Sequence, residues 1–485
     1  MNIKNLLFLV LISGVLNGQS TIIPSWTKIE TSNIGNAEAW GINVDETGEI
    51  FWTTSVEIDE IGYDLKAYKF DSDGNSLWDT PFLYQDQGTQ QAYINVSNET
   101  DLYIGGRNCP FLINSCDMQL LKVDKDTKEI DWVKTLNFSG DGYDEIDAIY
   151  LGDDGIYCGG WAQEFQSAAF QTDMGLWKLD YDGNTLWKNH FGKPNSAEHI
   201  DGHFVVDEDQ IYAAGLWNGT GIANLYNGHA FLGTFSKTDG SLLDSVLFGS
   251  QSDEFLDIEN ALGMTSDGEF LYITGYSTPT PDNWQLFIAK YDKQLNQIWY
   301  SDWGGEGTET GRGIRIKDNI IYIAGLSESE SIISNDAERK GVLITANLDG
   351  EFQDYQIWGE KQKTNFHDLD VFDDDIYITG TAEDNDKKEG VLIALTNKIS
   401  STSINLDKLK FNVFPNPANG LVRVEGLNFQ DQTSKYAITD QLGRIIKQGS
   451  ISELESGVVL TLNGIYYVTI SDEIQSVTRK VMNWH

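Results

Sequence analysis

The sequence predicts an all-β protein, and both its composition and a recurring phrase support this fold class. Glycine is abundant (47 of 485 residues), proline is sparse (8), and Trp, Tyr and Phe make up 12% of the chain. This composition is typical of short strands joined by tight turns. The recurring phrase combines apolar residues, an aromatic residue and a closing glycine: LYIGG (102–106), IYCGG (156–160), IYAAG (211–215), LYITG (271–275), IYIAG (321–325) and IYITG (376–380).

The aromatic residue of this phrase marks a repeat of 50 to 60 residues. It falls at seven positions: Phe51, Tyr103, Tyr157, Tyr212, Tyr272, Tyr322 and Tyr377. In each unit a second apolar strand follows, such as LFIAKYD (286–292), then a strand that often carries tryptophan, such as KQLNQIW (293–299). A loop rich in glycine and acid leads to a further strand, such as GIRIKD (313–318). Seven units of four strands predict a seven-bladed β-propeller, whose stacked sheets bury apolar strands on both faces.

The two ends of the repeat array complement each other. The seventh unit stops after GVLIALTNKI (390–399) without its tryptophan strand. Near the N-terminus, IPSWTKIETSNIGNAEAW (23–40) resembles TLWKNHFGKPNSAEHIDG (185–202) in order and spacing. We therefore expect Ser25–Glu30 to complete the seventh blade as its outer strand, because this closure removes an exposed sheet edge. The predicted propeller spans residues 21–399.

Residues 1–20 have the pattern of a secretory signal peptide. Lys4 precedes an apolar run from Leu6 to Leu16 that is too short to cross a bilayer. We expect cleavage after Gly18 or Ser20, and the absence of a cysteine there argues against a lipoprotein anchor. No later stretch approaches about 20 apolar residues, so no transmembrane segment is predicted. The mature chain is expected to be secreted or to lie on the outer cell surface.

The net charge restricts the possible partners. Lys and Arg number 33 against 74 Asp and Glu, which gives a formal charge of -41. Such a surface repels phosphate backbones, so nucleic acid and anionic membranes are not expected as partners. The excess acid is explained either by solubility, which acidic residues favour, or by a dedicated cation-binding role.

The three cysteines have different expected roles in an oxidising exterior. Cys109 and Cys116 bracket the short segment CPFLINSC and are expected to form a local disulfide. Cys158 lies inside IYCGG and is expected to be a small buried residue. No histidine is near it in sequence, which argues against a catalytic thiol.

The repeat also resembles a known family. The segment WGGEGTETGRGIRIKDNIIYIAGLSES (303–329) is similar to the bacterial seven-bladed β-propeller repeat family, whose units run from GG and an acidic turn through a DxxGNxYxxG-like strand pair. The resemblance covers roughly residues 25–400, loosely in most units. That family has no agreed activity, so the resemblance implies the fold and no particular chemistry.

The sequence after residue 399 predicts a second domain, distinct from the propeller. Residues 400–410 form a polar linker, and alternating strands over 411–485 predict a small Ig-like β-sandwich. These strands resemble the C-terminal sorting domain of the type IX secretion system: a PNP turn, a D-x-x-G-R hairpin, a G-I-Y strand and a final basic strand occur in that order. The chain departs from that pattern at its end, which reads MNWH. The resemblance implies transport across the outer membrane by the type IX machinery. The domain is then removed, with release of the protein or its attachment to surface polysaccharide.

Several motifs suggest cofactor chemistry, but their spacing disfavours it. The motif D-x-D-G-N at 71–75 and 180–184 resembles a calcium loop, yet position twelve is Phe82 or Phe191 and not glutamate. A turn is the favoured interpretation. The same segments resemble quinoprotein propeller repeats, but their aspartate–tryptophan spacing is shorter. His199 and His203 have the spacing of a metal pair without an HExxH motif. No cofactor is predicted, and Ca²⁺ is the alternative.

A set of acids supplies the candidate site. They precede the first strand of several blades, with one glutamine and one histidine at corresponding places: Glu38, Gln91, Glu145, Glu198, Glu254, Glu309 and His367. We expect them to converge around the central channel, where they would bind a cation or a hydroxyl-rich ligand. Alternatively, each glutamate accepts N–H bonds within its own turn.

Aromatic residues accompany the long loops 106–117, 160–174, 216–229 and 326–340, which we expect to rise on one face. They are Phe111, Trp161, Phe165, Trp217, Tyr226 and Trp284. These rings would stack on sugars or pack their own loops. We therefore expect a binding or adhesion module for glycan or protein ligands. The alternative is a lyase or glycoside hydrolase, which requires juxtaposed acid and base groups in a deep pocket.

Overall fold

The computed structural model describes most of the repeat region and parts of the tail. The described ranges are 20–59, 62–86, 88–110, 115–138, 142–163, 172–193, 196–219, 228–249, 259–280, 283–333, 338–359, 361–396, 412–414, 421–425, 435–440, 445–450, 454, 457–460, 464–471 and 476–483. Several expectations fall outside them: the signal peptide, the linker, Glu254, Phe111, Phe165 and Tyr226. Contacts divide the chain into one compact unit of Leu16–Asn397 and a second that contains Lys398–His485.

Seven sheets arise within the described part of the first unit, each with four antiparallel strands, and one of them carries a fifth, parallel strand at its edge, so the predicted seven-bladed propeller is confirmed. Two short strands come first, β1 (Ser20–Thr21) and β2 (Trp26–Glu30). Blades 1 to 3 contain β3 (Ala37–Val44), β4 (Ile50–Asp59), β5 (Gly62–Phe70), β6 (Phe82–Tyr84); β7 (Thr89–Ser97), β8 (Asp101–Cys109), β9 (Asp117–Asp124), β10 (Ile130–Leu136); and β11 (Glu145–Gly152), β12 (Gly155–Ala162), β13 (Asp173–Leu179), β14 (Thr185–Phe191).

The remaining blades follow the same order. Blades 4 and 5 contain β15 (Ala197–Val206), β16 (Gln210–Gly219), β17 (His229–Ser236), β18 (Leu242–Phe248); and β19 (Asn260–Ser266), β20 (Phe270–Thr280), β21 (Asn283–Asp292), β22 (Gln297–Trp303). Blades 6 and 7 contain β23 (Glu309–Lys317), β24 (Ile320–Ser327), β25 (Lys340–Asn347), β26 (Phe352–Trp358); and β27 (Lys363–Phe372), β28 (Asp375–Asp384), β29 (Lys387–Thr396). A short helix, α1 (Glu330–Ile333), lies between β24 and β25.

The hydrophobic core lies between neighbouring blades. Tyr272 and Leu286 of blade 5 pack in one buried cluster with Ile323 and Ile344 of blade 6. The second and third strands of a blade are buried on both faces, which explains why the recurring phrase reads as an apolar run. Outer strands such as β14 alternate between half-buried and exposed residues.

The N-terminal segment closes the ring. Strand β2 pairs antiparallel with β29, from Trp26 opposite Ala394 to Glu30 opposite Gly390, and completes blade 7 as predicted. Strand β1 makes a further pairing that the sequence did not reveal, because it lies parallel to β26 at the outer edge of blade 6. The same short segment therefore holds the last two blades.

Tryptophans of the outer strands dock onto the next blade. Each indole Nε1 donates to a backbone carbonyl in the neighbouring turn at 2.8–3.2 Å; the pairs are Trp26–Ser72, Trp78–Lys125, Trp132–Tyr181, Trp187–Lys237 and Trp299–Leu348. Gly74, at φ +79°, lies beneath Trp26, and a Cβ there would come within 2.8 Å of the ring. Asp71 accepts the N–H groups of Asp73 and Asn75, so the D-x-D-G-N motif forms a turn. Trp26 therefore joins blade 7 to blade 1 by the same indole-to-carbonyl hydrogen bond that joins other neighbouring blades.

The described part of the tail also consists of strands. They are β30 (Asn412–Phe414), β31 (Leu421–Glu425), β32 (Lys435–Asp440), β33 (Ile445–Ser450), β34 (Val458–Val459), β35 (Gly464–Ser471) and β36 (Ser476–Asn483). They form one sheet in the order β30-β31-β34 and another in the order β33-β32-β35-β36. The Ig-like arrangement of these sheets stays a prediction.

Candidate functional site

The innermost strands carry a shared irregularity that directs side chains into the central channel. In β7 the pairing register shifts between Ala92 and Ile94, so Tyr93 is an extra residue in the strand. Comparable shifts occur in β3, β11, β19, β23 and β27, whereas the shift in β15 falls just after Asp201. The residues at this position line one cavity: Trp40, Tyr93, Asp147, Asp201, Leu262, Arg312 and His367. We call the part of the channel lined by these seven residues the mouth.

The glycine that ends each recurring phrase makes this geometry possible. A Cβ on Gly160 would lie 2.0 Å from the carbonyl oxygen of Glu145, and one on Gly275 would lie 1.9 Å from that of Asn260. Four more glycines make the same approach: Gly106 to Gln91, Gly215 to His199, Gly325 to Thr310 and Gly380 to Asn365. In each case the carbonyl belongs to the innermost strand, two residues before the mouth residue. A side chain at the glycine would push the two strands apart.

Charged side chains bridge the channel below the mouth. His203 of blade 4 lies 3.0 Å from Nη2 of Arg315 of blade 6, which in turn lies 3.6 Å from Asp368 and 3.3 Å from Asp370 of blade 7. Burial, opposed by Arg315, raises the pKa of Asp368 to about 7. Burial and the nearby Arg315 hold the pKa of His203 well below its usual range. The mouth is therefore a pocket with a volume of about 380 Å³ above a polar floor.

Blades 2 to 4 give this pocket an acidic side. Glu145 accepts a hydrogen bond from Arg107 at 2.7 Å. Burial and the like charges of Glu145 and Asp201 raise the pKa of Asp147 well above its usual range. Burial also acts on Asp201, but His199, 2.8 Å away, together with Arg312 and Asn260 outweighs it and lowers the pKa of that carboxyl. The pKa values of the two carboxyls are therefore shifted in opposite directions.

The opposite side of the mouth is basic. A second cavity, also about 380 Å³, shares Arg312 with the first and is further lined by Arg339, Lys363 and Lys388. The last three are ion-paired: Lys388 lies 2.6 Å from Glu38, Lys363 lies 3.1 Å from Glu383, and Arg339 contacts Glu328. Arg312 has no ion pair or hydrogen bond to any residue that the structure describes. Its guanidinium carbon lies 5.3 Å from the ring centre of Trp40.

Buried polar atoms without partners surround the mouth. They are Asp147 Oδ2, Trp161 Nε1, Asn260 Oδ1, Thr310 Oγ1 and His367 Nδ1, and none has a hydrogen-bond partner among the described residues. Buried polar groups in folded proteins nearly always have partners, so these atoms indicate a site for water or a ligand. Asn260 and Thr310 are only 5% and 7% exposed.

Aromatic pairs are exposed to the same two cavities. The ring of Trp40 is stacked on His367 with centroids 3.8 Å apart, and Trp161 is stacked on His199 at 4.6 Å. Trp284, expected near a long loop, lines the second cavity. Aromatic faces beside hydrogen-bonding groups suit a ligand with apolar faces and polar edges.

Two residues of the predicted ring of acids lie one position out of register with the others. Residues that do line the first cavity are Glu38, Gln91, Glu145 and His367, together with the loop aromatic Trp161. Glu198 and Glu309 do not line either cavity, because they stand one residue earlier than the positions equivalent to Glu145, and side chains alternate along a strand. Glu198 accepts from Ser196 Oγ at 2.5 Å, and Glu309 accepts from the N–H of Gly305 at 3.0 Å. For these two the alternative holds, since they accept bonds from nearby chain.

Trp217, predicted as a ligand-binding aromatic, is stacked on Phe231 and lines neither cavity.

Three charged residues of the mouth were not predicted from the sequence. They are Asp147, Asp201 and Arg312. A signal for them exists, because each follows by two residues the position whose carbonyl faces a phrase-ending glycine. That signal becomes readable only when the pairing of first and second strands is known.

The structure places all three cysteines, two in a disulfide and one as a buried thiol. The structure joins Cys109 and Cys116 by a disulfide. Cys158 is buried, and burial raises the pKa of its thiol. Across the described ranges, no three His, Cys, Asp or Glu side chains are arranged to hold a metal ion. The described residues include no helix that is both long and apolar enough to cross a membrane.

Comparison with known proteins identifies the tail. Residues 412–483 match the family model of the secretion system C-terminal sorting domain. No curated protein matches the chain significantly. The resemblance of the propeller repeats to the bacterial repeat family stays a prediction.

Solved propeller structures overlap the chain at low identity. Virginiamycin B lyase from Staphylococcus aureus, in a catalytically inactive form with quinupristin, has 11% identity and a TM-score of 0.46, over 76% of this chain and 99% of its own. A B. thetaiotaomicron extracellular domain, from a protein described as a hybrid two-component system, has 9% identity and a TM-score of 0.44, over 96% and 60%. The β-propeller domain of the Trilobed protease from Pyrococcus furiosus has 13% identity and a TM-score of 0.41, over 71% and 89%.

These TM-scores lie below 0.5, so the overlaps carry no inference about ligand or activity. The tail is informative, because such a domain directs export by the type IX system. Residues 412–483 are a type IX sorting domain, and the chain is a secreted, cell-surface protein built on a seven-bladed β-propeller.

Proposed function

We propose that the propeller is a binding module and that a glycan occupies the mouth. The observation that carries this proposal is that Asp147 Oδ2, Trp161 Nε1 and His367 Nδ1 have no described hydrogen-bond partner and belong to residues that line one pocket. The stacked rings of Trp40 and Trp161 line the same pocket. A sugar hydroxyl both donates and accepts, so it can serve a carboxyl oxygen such as Asp147 Oδ2 and an N–H such as Trp161 Nε1. The apolar face of a sugar ring packs on an aromatic side chain.

The shape of the site favours a glycan over a protein ligand. A pocket of about 380 Å³ lies in the usual range for small ligands. A stable protein partner needs an interface of roughly 800 Å² on each side, which is broader than the mouth. Export to the cell surface supports the same proposal, because exposed proteins there meet polysaccharides from outside.

The proposal is tested by a glycan array with the full-length secreted protein, followed by calorimetric titration of the glycans that bind. Trp161→Ala removes an aromatic face and an N–H that has no described partner, so we expect about tenfold weaker binding. Trp217→Ala is the matched control, because that ring lies outside both cavities. Unchanged affinity in Trp161→Ala would exclude the mouth as the site, and an array without any binding would exclude a glycan ligand.

A second candidate function is cleavage of the bound glycan by a lyase or hydrolase reaction. It is favoured by one observation: the pKa of Asp147 is raised and that of Asp201 is lowered, although both carboxyls line the same pocket. Two carboxyl groups whose pKa values are driven apart are the arrangement used for general acid and base chemistry. Turnover of the bound glycans decides between the two. Cleavage that is lost in Asp147→Asn with binding retained would support an enzyme, and absence of cleavage in the native protein would leave binding alone.

A further inference from the structure

The charge around the second cavity is reversed relative to the rest of the protein. Over the whole chain, acids outnumber Lys and Arg by 74 to 33. Among the described residues that line the second cavity the order is inverted, because Arg312, Arg339, Lys363 and Lys388 stand against two acids, Glu38 and Glu383. A local excess of positive charge inside a strongly negative surface concentrates anionic groups there.

One of these cations has no described partner. Lys388, Lys363 and Arg339 are each engaged with a glutamate. Arg312 lines both cavities, and no hydrogen bond or ion pair joins it to a described residue, although its charge acts to lower the pKa values of Asp147 and Asp201. A guanidinium presents up to five N–H donors in a planar fork that matches a carboxylate or sulfate.

The position of Arg312 is set by its strand and by neighbouring side chains. Its side chain leaves the strand at the mouth position of β23, beside the register shift between Gly311 and Gly313. It lies against Trp40, whose ring is stacked on His367. Thr310, two residues earlier on the same strand, has a buried hydroxyl without a described partner. An acid group and neighbouring hydroxyls of one ligand would meet these groups together.

We infer that the ligand is an acidic sugar whose carboxylate or sulfate group binds the guanidinium of Arg312 while its ring packs against Trp40. This inference rests on the proposed function and names the class of glycan. An acidic peptide offers the same charge, but it lacks the hydroxyl groups that Asp147 in the first cavity and Thr310 in the second are placed to bind. The pocket also ends on the floor formed by His203 and Arg315, which suits one or two rings more than an extended chain.

The test measures four probes on the full-length protein by calorimetry. They are a galacturonate tetrasaccharide, its neutral carboxyl-reduced form, a sulfated neutral tetrasaccharide and a tetra-aspartate peptide. We expect one or both acidic sugars to bind more tightly than the neutral sugar, with affinity falling as salt is raised. Arg312→Gln should weaken the acidic sugar about tenfold or more and the neutral sugar far less.

Two further variants keep the result interpretable. Lys317→Gln removes one positive charge at the far end of the same strand and should leave binding unchanged. Arg312→Lys keeps the charge but not the planar fork, so partial loss is expected. Thermal melting checks that each variant folds as the native protein does.

The outcomes separate this inference from the proposed function. Equal binding of acidic and neutral sugars, or acidic-sugar binding unaffected by Arg312→Gln, overturns the inference and leaves the mouth as a glycan site. Binding of tetra-aspartate alone through Arg312 overturns both and indicates a peptide ligand. If no probe binds and no glycan binds on the array, both proposals are wrong.

Discussion

At the scale of single residues, the phrase-ending glycines link the repeat to the candidate site. Gly275 has an ordinary backbone conformation, yet a Cβ there would meet the Asn260 carbonyl at 1.9 Å. The glycine is therefore required by contact between strands. Since Asn260 stands two residues before Leu262 of the mouth, the same contact sets the position of a pocket wall.

Gly275→Ala is expected to destabilise the protein by about 2–3 kcal/mol, because the innermost strand must move to accommodate the methyl group. The control is Gly268→Ala. Gly268 has φ +96° with nothing within 4 Å, so only backbone strain of about 1 kcal/mol applies. Denaturant unfolding measures both. Equal losses in the two variants would contradict the role of strand contact.

The buried carboxyl of Asp368 gives a pH-dependent prediction. Its pKa is raised by burial from 3.8 to about 7. The neutral form is the one the fold favours, so its contribution to stability is complete below pH 3.8 and is lost as the pH rises through about 7. Asp368→Asn has no such titration. We expect the stability of the native protein relative to this variant to fall by roughly 3–4 kcal/mol between pH 4 and pH 8. A difference that stays constant with pH would show that Asp368 is ionised throughout.

At the scale of strands, closure depends on a short segment far from its partners in sequence. Strand β2 supplies the missing edge of blade 7, and Trp26 then docks on the turn of blade 1 through Ser72. Trp187 makes an equivalent contact with Lys237 between blades 3 and 4. Both indole bonds measure 3.0 Å, so the seam and an internal junction have the same geometry.

Trp26→Phe and Trp187→Phe should therefore cost similar amounts, about 1–2 kcal/mol each, because each removes one indole hydrogen bond and part of a buried ring. Chemical unfolding of the two variants checks this. A loss confined to Trp187→Phe would indicate that the ring is not held shut through Trp26.

At the level of the whole molecule, the chain combines a seven-bladed propeller with an export domain. The sorting domain over 412–483 explains how a protein of net charge -41 reaches the cell surface. The charge itself favours solubility outside the cell, whereas the described lining of the second cavity keeps a local excess of cations.

Removal of residues 412–483 is expected to abolish surface delivery, so that the propeller accumulates inside the outer membrane. Fractionation and protease accessibility of intact cells measure this, with the full-length protein as control. Circular dichroism of the shortened protein shows whether the propeller still folds. Surface exposure of a folded, shortened protein would contradict a sorting role for the tail.

The number of blades, the closing segment and the identity of the tail as a sorting domain can all be predicted from the sequence alone. These features are encoded by local patterns: a repeat of 50 to 60 residues, a unit lacking its last strand, and ordered sorting motifs. Alternation and apolar runs report strands because side-chain direction along a strand is a local property.

The side chains that enter the channel could not be predicted without the folded ring. A shift of one residue moves a side chain to the opposite face of a sheet, so Glu145 reaches the mouth while Glu309 turns to its own loop. Contacts such as His203 with Arg315 join residues 112 positions apart and form only once the ring is closed. The surroundings of Arg312 and the raised pKa of Asp147 depend on neighbours from other blades, and no local pattern records them.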